Sequence, residues 1–342
     1  MKQRLSFGRR AALTLTTILV GATAILGGVG LLSAANTEVP STSSTFPSRP
    51  ITIIVTFPPG GGTDLLARKL GALMQERLGQ VVVVENRPGA SGNIGARVVA
   101  DAPADGYTLL MVNSSFAINP GVYGNLGFDP KADFQAVINV AFVPSVLIVS
   151  ADSPYQTLTE WVQAGSKPNA RLPFASCGNG TPQHLAGEML TINMKVPFQH
   201  VPYRGCGPAL TDVLSGQVSM GIVTASSAAP FLQAGKLRAL GVTSPKRSSL
   251  MAAVPTVAEQ GMPGYEMNQW HGLLAPAKTP DEVIAKLNRT VAQIMKQADV
   301  RRDLLQLGFS TTTSSSEEFQ TLIASDIDRF ATLTQKIGLR AD

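Results

Sequence analysis

Residues that do chemistry are scarce in this sequence. In 342 residues there are three histidines and two cysteines. No His, Cys and carboxylate group falls at metal-ligand spacing, so neither a metal centre nor any other cofactor is expected. The segment GASGN at 89–93 departs from the Gly-x-Ser-x-Gly elbow of hydrolases at its last position. No Gly-Lys-Ser/Thr follows a glycine loop, and the dinucleotide glycine spacing is missing too. An excess of one charge is also lacking. The formal net charge is +5, but Lys2, Arg4, Arg9 and Arg10 fall in the first ten residues. Removing residues 1–35 takes those four from the 28 basic residues and none of the 23 acidic ones, leaving +1. A nearly neutral chain gives no electrostatic footprint for nucleic acid. Aromatic residues make up only 6%.

What is present begins with an export pattern. MKQRLSFGRR is basic, no residue from Ala11 to Leu32 is charged, and Ser33-Ala34-Ala35 supplies small residues for cleavage after Ala35. Residues 1–35 are therefore read as a signal peptide and 36–46 as a flexible lead, with the mature chain in the periplasm. The Arg9-Arg10 pair permits twin-arginine export. A retained membrane anchor is the competing reading, because the run is long enough to span a bilayer. Four glycines dilute it, at 21, 27, 28 and 30, and a Pro/Ser/Thr-rich stretch follows.

From Pro47 onward, strand-like and helix-like runs alternate. Strands are expected at Ile51–Phe57, Val81–Val84 and Tyr107–Val112, with helices at Thr63–Leu78 and Asn93–Ala100. Val137–Val149 is apolar and interrupted at Pro144, fit to carry the chain into a second unit. The alternation then resumes, with strands near Leu172–Ser176, Phe198–Pro202, Val218–Val223 and Leu237–Val242, and helices between them. Trp270–Ala275 reads as a returning strand. Thr279 reads as the N-cap of a helix with Pro280 in its first turn, and a last amphipathic helix starts near Ser315. This order predicts an α/β protein of two lobes, each a sheet flanked by helices, with a hinged cleft between. Lobe 1 is assigned 47–148 and 269–342, and lobe 2 149–268.

In open α/β sheets ligands gather at the carboxyl ends of strands. Three loops there are glycine-rich and open helices: Phe57-Pro58-Pro59-Gly60-Gly61-Gly62-Thr63-Asp64, the segment Ser176–His184, and Tyr203-Arg204-Gly205-Cys206-Gly207-Pro208. Glycine lets a ligand approach the backbone, and a helix N-terminus favours an anion. A plain tight turn is the competing reading for each. Asn113-Ser114-Ser115 is a fourth polar strand end, equally suited to a ligand or a turn. Phe57, Phe116, Tyr203 and Trp270 either form an aryl-stacking site or belong to the core.

Seven blocks, among them RPITIIVTFPPGGGTDLLAR, VVVVENRPGASGNIGA, TPQHLAGE and VPYRGCGPALTDVLSGQV, resemble in order and spacing the substrate-binding receptors of tripartite tricarboxylate transporters, also called Bug-type receptors. The resemblance runs from about Pro47 to the C-terminus. It implies a two-lobed periplasmic binding protein that traps a small carboxylate and presents it to membrane permease subunits, with a monomer expected. By position it points to Phe57, Gly61, Gly62, Thr63, Asp64, Ser114, Ser115, Thr181, Gln183, His184, Tyr203, Gly205 and Gly207 as ligand-binding residues. Where the family commonly has Asp-Asn, this chain has Val223-Thr224. Thr224 joins the set, and a ligand amine loses its partner there, which argues against an amino-acid ligand. Cys177 and Cys206 stand where Ala or Gly is usual. In an exported chain they form either a disulfide or two buried thiols. Two other functions stay open: a ligand-binding sensor for a membrane signalling protein, and a hydrolase-like enzyme using Cys177 and His184.

Overall fold

The computed structural model describes residues 46–248 and 251–340. The expected signal peptide and most of the lead lie outside them. The first unit runs β1 (Ile51–Val55), α1 (Gly62–Leu78), β2 (Val82–Asn86), α2 (Asn93–Ala100), β3 (Thr108–Asn113) and the single turn α3 (Ser115–Ile118). After the long β4 (Phe134–Ser150) come α4 (Leu158–Gly165), β5 (Pro173–Ser176), α5 (Pro182–Met194), β6 (Gln199–Pro202), α6 (Cys206–Leu214), β7 (Met220–Thr224), α7 (Ala225–Gln233) and β8 (Leu237–Val242). The return is β9 (Asn268–Pro276), α8 (Asp281–Met295), α9 (Ala298–Gln306), β10 (Ser310–Thr311) and α10 (Ser316–Lys336).

The pairing order is β2-β1-β3-β9-β4-β7-β5-β6, with β8 and β10 also on β4. β1 is parallel to β2 and β3, and β5 is parallel to β6 and β7. Each half thus repeats one strand-helix-strand-helix-strand unit with its first strand in the middle. Their β-branched and Leu-rich runs are buried because helices cover both faces: Ile51, Ile53 and Val55 are fully buried beside Leu66, Leu70 and Met74 of α1. Val146, Val223 and Val213 do the same work in the second half.

The two halves share β4 and β9. The first part of β4 pairs antiparallel with β9 as far as Pro144, and Ser145 onward pairs with β7 and β8. Pro144 therefore does not interrupt the strand, as its ring would suggest; it stands where the pairing changes partner, and no break in β4 results. Thr279 is not the cap of α8. Its hydroxyl donates to the Pro276 carbonyl, and Pro280 occupies the N-cap position. α9 carries little apolar periodicity in the sequence, since only Val300 and Leu304 of its nine residues are buried.

Candidate functional site

The loops after the parallel strands of the two halves face each other. Between them lies a cavity of about 50 Å³, lined from one side by Phe57–Pro59, Gly61–Thr63 and Asn113. From the other side come Cys177, Gln183, Gly205–Pro208 and Thr224. Among the described residues no charged side chain lines it.

α1 begins at Gly62 on an N-cap glycine, Gly61, and α6 begins at Cys206 on Gly205; neither N-cap carries a side-chain hydrogen bond. The first-turn N–H groups of a helix have no intrahelical acceptor. Here both sets border the cavity and no side chain of the N-cap residue takes them up. The three glycines of the first loop divide the work. Gly60 has φ +84, a left-handed conformation that side chains resist. A Cβ on Gly61 would meet only the Pro58 carbonyl oxygen, at 3.7 Å, and Gly61 lines the cavity. A Cβ on Gly62 would fall 2.3 Å from Ser226 Oγ of the opposite half.

Asp64 is buried and turned away from the cavity. Its carboxylate accepts from Gly60 N and Asn86 Nδ2, both at 2.9 Å, and pairs with Arg68. Burial acts to raise its pKa, but the hydrogen bonds from Arg68, Gly60 and Asn86 outweigh that and hold the carboxyl below its ordinary value. Asn86 Nδ2 also donates to the Phe57 carbonyl, so the loop after β1 is tied to the end of β2.

In the second half the equivalent loops are tied covalently: Cys177 and Cys206 form a disulfide with Cα atoms 4.4 Å apart. Cys177 therefore has no thiol to act as a nucleophile with His184. Thr181 caps α5, accepting from His184 N and donating to the Gly178 carbonyl, and Thr224 caps α7, accepting from Ser227 N. Thr224 lines the cavity as well; Thr181 does not.

His184 also points away. Its ring stacks on His200 with centroids 3.6 Å apart and planes at 15°. Its Nε2 lies 3.6 Å from Glu188, and His184, Glu188 and His200 are the three described residues grouped closely enough to suggest a metal ligand set. Two stacked imidazoles aim their in-plane lone pairs along parallel planes, which does not converge on one ion. The spacing in sequence gave no sign of this group, since it forms across β6 and α5. His200 Nε2 lies 2.7 Å from Ser176 Oγ, and burial, with His184 adding to it, pushes the His200 pKa down to about 3.

Of the other expected residues, Ser114 Oγ accepts from Trp270 N, and Ser115 lines a separate small cavity beside Phe57 and Asn119. Tyr203 lies in the outer groove and donates to Asp212; burial and that carboxylate push its pKa up to about 12. Trp270 packs on Phe319 and donates to Asp326, and Phe116 packs with Phe128 and Phe134, so of the four aromatics only Phe57 reaches the cavity. Across the far side of the cleft, the Ser91 hydroxyl and Tyr123 OH of the first half both reach the Asn179 carbonyl of the second. Asn113, from the fourth polar strand end, and Pro58, Pro59 and Pro208 of the glycine-rich loops also join the lining.

A sheet of two repeated units joined by crossing strands, with a cavity between opposed loops, defines a two-lobed solute-binding protein. The model of the tripartite tricarboxylate transporter family receptor matches residues 66–339, and the chain belongs to that family. It is 38% identical over 324 residues to a UPF0065 protein from the tcbD-tcbE intergenic region of Pseudomonas sp. (strain P51), covering 94% of this chain and 96% of that one. Among solved structures, R. palustris Rpa4515 with adipate superposes with a TM-score of 0.83 at 35% identity, covering 86% of this chain and all of that one. MatC from Rhodopseudomonas palustris with bound malate gives 0.77 at 32%, covering 84% and 99%. Among the described residues no helix is long and apolar enough to cross a membrane.

Proposed function

We propose that this chain is an extracytoplasmic receptor that captures a small carboxylate in the cavity between its lobes and delivers it to the permease subunits of a tripartite transporter. The observation that carries the reading is a cavity lined by no charged side chain among the described residues and bordered by two helix N-termini that start on glycine without a side-chain cap. Such N–H groups and the helix dipole can hold a carboxylate without a cationic side chain, which fits the neutral lining. Adipate and malate in two members of the fold group agree with that chemistry.

In this reading Gly61, Gly62 and Thr63 meet the ligand from lobe 1, and Gln183, Gly205, Gly207 and Thr224 from lobe 2. Phe57 packs along its carbon chain. Asp64, Ser114, Thr181, His184 and Tyr203 act behind that layer, holding loops in place. The lobes are 47–148 with 269–342, and 149–268. Hinge motion concentrates at the crossing strands β4 and β9, and the Ser91 and Tyr123 contacts to Asn179 close the far side. Export to the periplasm rests on the N-terminal sequence and on the family, which is one of periplasmic solute-binding receptors.

Thermal unfolding with adipate, malate, other mono- and dicarboxylates, and the uncharged diamide of adipate tests this. A saturable rise in midpoint with at least one carboxylate is expected, worth about 2.7 kcal/mol at a hundredfold excess over Kd. Gly61→Val should abolish it while leaving the ligand-free midpoint near that of the wild type, since the added carbons enter the cavity. A diamide that shifts the midpoint as much as the acid, or an unchanged response in Gly61→Val, overturns the reading.

A further inference from the structure

Beneath the cavity a chain of buried polar side chains passes from one half to the other through β9 and β4. Thr63 Oγ1 lies 3.3 Å from His271 Nε2, and His271 Nε2 lies 3.2 Å from the amide nitrogen of Gln269. Gln269 Oε1 and Gln183 Nε2 are 2.8 Å apart, and Gln183 Nε2 is also 2.8 Å from Ser145 Oγ. All are nine-tenths or more buried, and His271 is fully so. Thr63 and Gln183, the two ends, line the cavity.

The setting just described has a cost. If Gln269 donates to His271 Nε2, that nitrogen is the acceptor and the proton of a neutral imidazole must sit on Nδ1. His271 Nδ1 has no hydrogen-bond partner among the described residues; the Phe309 ring stands edge-to-face to the imidazole, with ring centroids 5.5 Å apart. A buried N–H without an acceptor is rarer and costlier than a buried lone pair without a donor. The oxygen and nitrogen of a side-chain amide are nearly the same size, so turning an amide over preserves every heavy-atom contact.

We infer that His271 carries its proton on Nε2 and that the Gln269 and Gln183 amides are both turned accordingly, so that this buried relay presents hydrogen-bond donors to the cavity. The chain then closes at every link. His271 Nε2–H donates to the Gln269 oxygen, shared with Thr63 Oγ1. The Gln269 NH₂ donates to the Gln183 oxygen, which also accepts from the Ser145 hydroxyl. The Gln183 NH₂ is left on the cavity side, where that end of the side chain has no hydrogen-bond partner among the described residues. Thr63 is set in the same sense. Ser115 N donates to Asn113 Oδ1 at 2.9 Å, which fixes the Asn113 amide, so its Nδ2 donates to Thr63 Oγ1 at 3.2 Å. With Asn113 and His271 both donating to that oxygen, the Thr63 hydroxyl proton is free to point into the cavity. The opposite tautomer reverses the pattern and turns the Gln183 carbonyl oxygen toward the ligand, which repels a carboxylate. His271 and Gln269 are thus positioning residues that select for an acceptor-rich ligand without touching it. This rests on the proposed carboxylate reading only for what the donors are for; the tautomer itself does not depend on it.

The test is nitrogen-15 labelling of the histidines and a long-range proton–nitrogen correlation spectrum, which distinguishes the two neutral tautomers by the shifts and couplings of the ring nitrogens. The chain has three histidines, so His184→Gln and His200→Gln assign the signals by elimination. His271 is expected to show the Nε2–H pattern in the ligand-free protein near neutral pH; the Nδ1–H pattern overturns the relay. In a second measurement Gln269→Leu, which cuts the chain between His271 and Gln183, should weaken adipate binding by about tenfold or more, the size of one hydrogen bond to a charged group. Unchanged adipate affinity in that variant overturns the relay as well. If the wild-type protein binds no carboxylate, the receptor reading fails while the tautomer still decides the relay.

Discussion

In the first half of the sheet, the loop after the central strand is held to its neighbour by a carboxylate: Asp64 gathers Gly60, Asn86 and Arg68, and Asn86 takes the Phe57 carbonyl. In the second half, the loops after β5 and β6 stand in the same topological relation and are held by the Cys177–Cys206 disulfide. Both devices serve one geometry, a helix that starts on glycine beside the cavity with its first N–H groups uncapped. The difference is in what each depends on. A hydrogen-bonded carboxylate needs its charge and is sensitive to acid. A disulfide acts on the unfolded chain and is sensitive to reductant. The glycines themselves hold nothing in place, so something else in each half must.

The comparison breaks most sharply at the disulfide. Cys177 and Cys206 are 29 residues apart, and closing a loop of that size stabilises by about 3–4 kcal/mol on the chain-entropy estimate. Cys177→Ser with Cys206→Ser, or reductant on the wild type, should lower unfolding stability in urea by that amount and weaken ligand binding, because Cys206 opens α6. A double variant with the wild-type midpoint and affinity would mean that packing alone holds the second-half loops.

Asp64→Ala should cost somewhat less, about 2–3 kcal/mol, for loss of hydrogen bonds to a charged group. Acid separates the halves. The Asp64 pKa is depressed in the fold, so its contribution is fully present above the ordinary carboxylate value and is lost as pH falls through the depressed one. His200 runs the other way in sign. Its folded value, about 3, lies below the ordinary 6.5, so the unfolded chain takes up the proton first and stability drops as pH falls from about 6.5 toward 3. Urea titrations should therefore show a loss of about 1 kcal/mol at most between pH 6.5 and 5.5 that His200→Phe removes, and a separate, more acidic loss that Asp64→Asn removes. A single acid limb unchanged by both substitutions would refute the assignment.

The smallest effect is expected where the halves touch. In Gly62→Ala the new Cβ meets Ser226 Oγ, the rotatable tip of a side chain, with the next atoms at 3.4 Å and beyond. A cost of a few tenths of a kcal/mol is expected, read as a small shift in thermal midpoint. A large loss would mean that Ser226 is fixed and that the approach of the halves is tighter than its hydrogen bond to Thr224 requires.

Much of this molecule was legible before any tertiary contact. Alternating β-branched runs and helical faces gave the strand and helix order, because a buried strand and a covering helix each need a periodic apolar surface. Ser315 and Thr157 cap their helices through capping boxes, a local pairing written in four residues. The glycine runs marked the loops that border the cavity, since positive φ and close approach are local demands. Less was legible about which side chains turn inward. Asp64, Thr181 and His184 sit in those loops yet face away, because each satisfies backbone groups or stacks within its own half. Asn113 faces in, and its role depends on His271 and Thr63, residues distant in the chain.

By itself, then, the sequence determined the export pattern, the two repeated α/β units, the family, and the glycine-rich loops that border the cavity, because all of these follow from local composition and order. Only the tertiary structure decided the pairing of Cys177 with Cys206, the stacking of His184 on His200, and the buried line from Thr63 through His271 and Gln269 to Gln183. Apart from Gln269 and His271, two residues apart on β9, those contacts join residues distant in the chain, up to 208 positions for Thr63 and His271. Their partners are set by tertiary packing, of β5, β6 and their helices for the disulfide and the histidine pair and of the crossing strands β4 and β9 for the buried line, and no local pattern of residues encodes that.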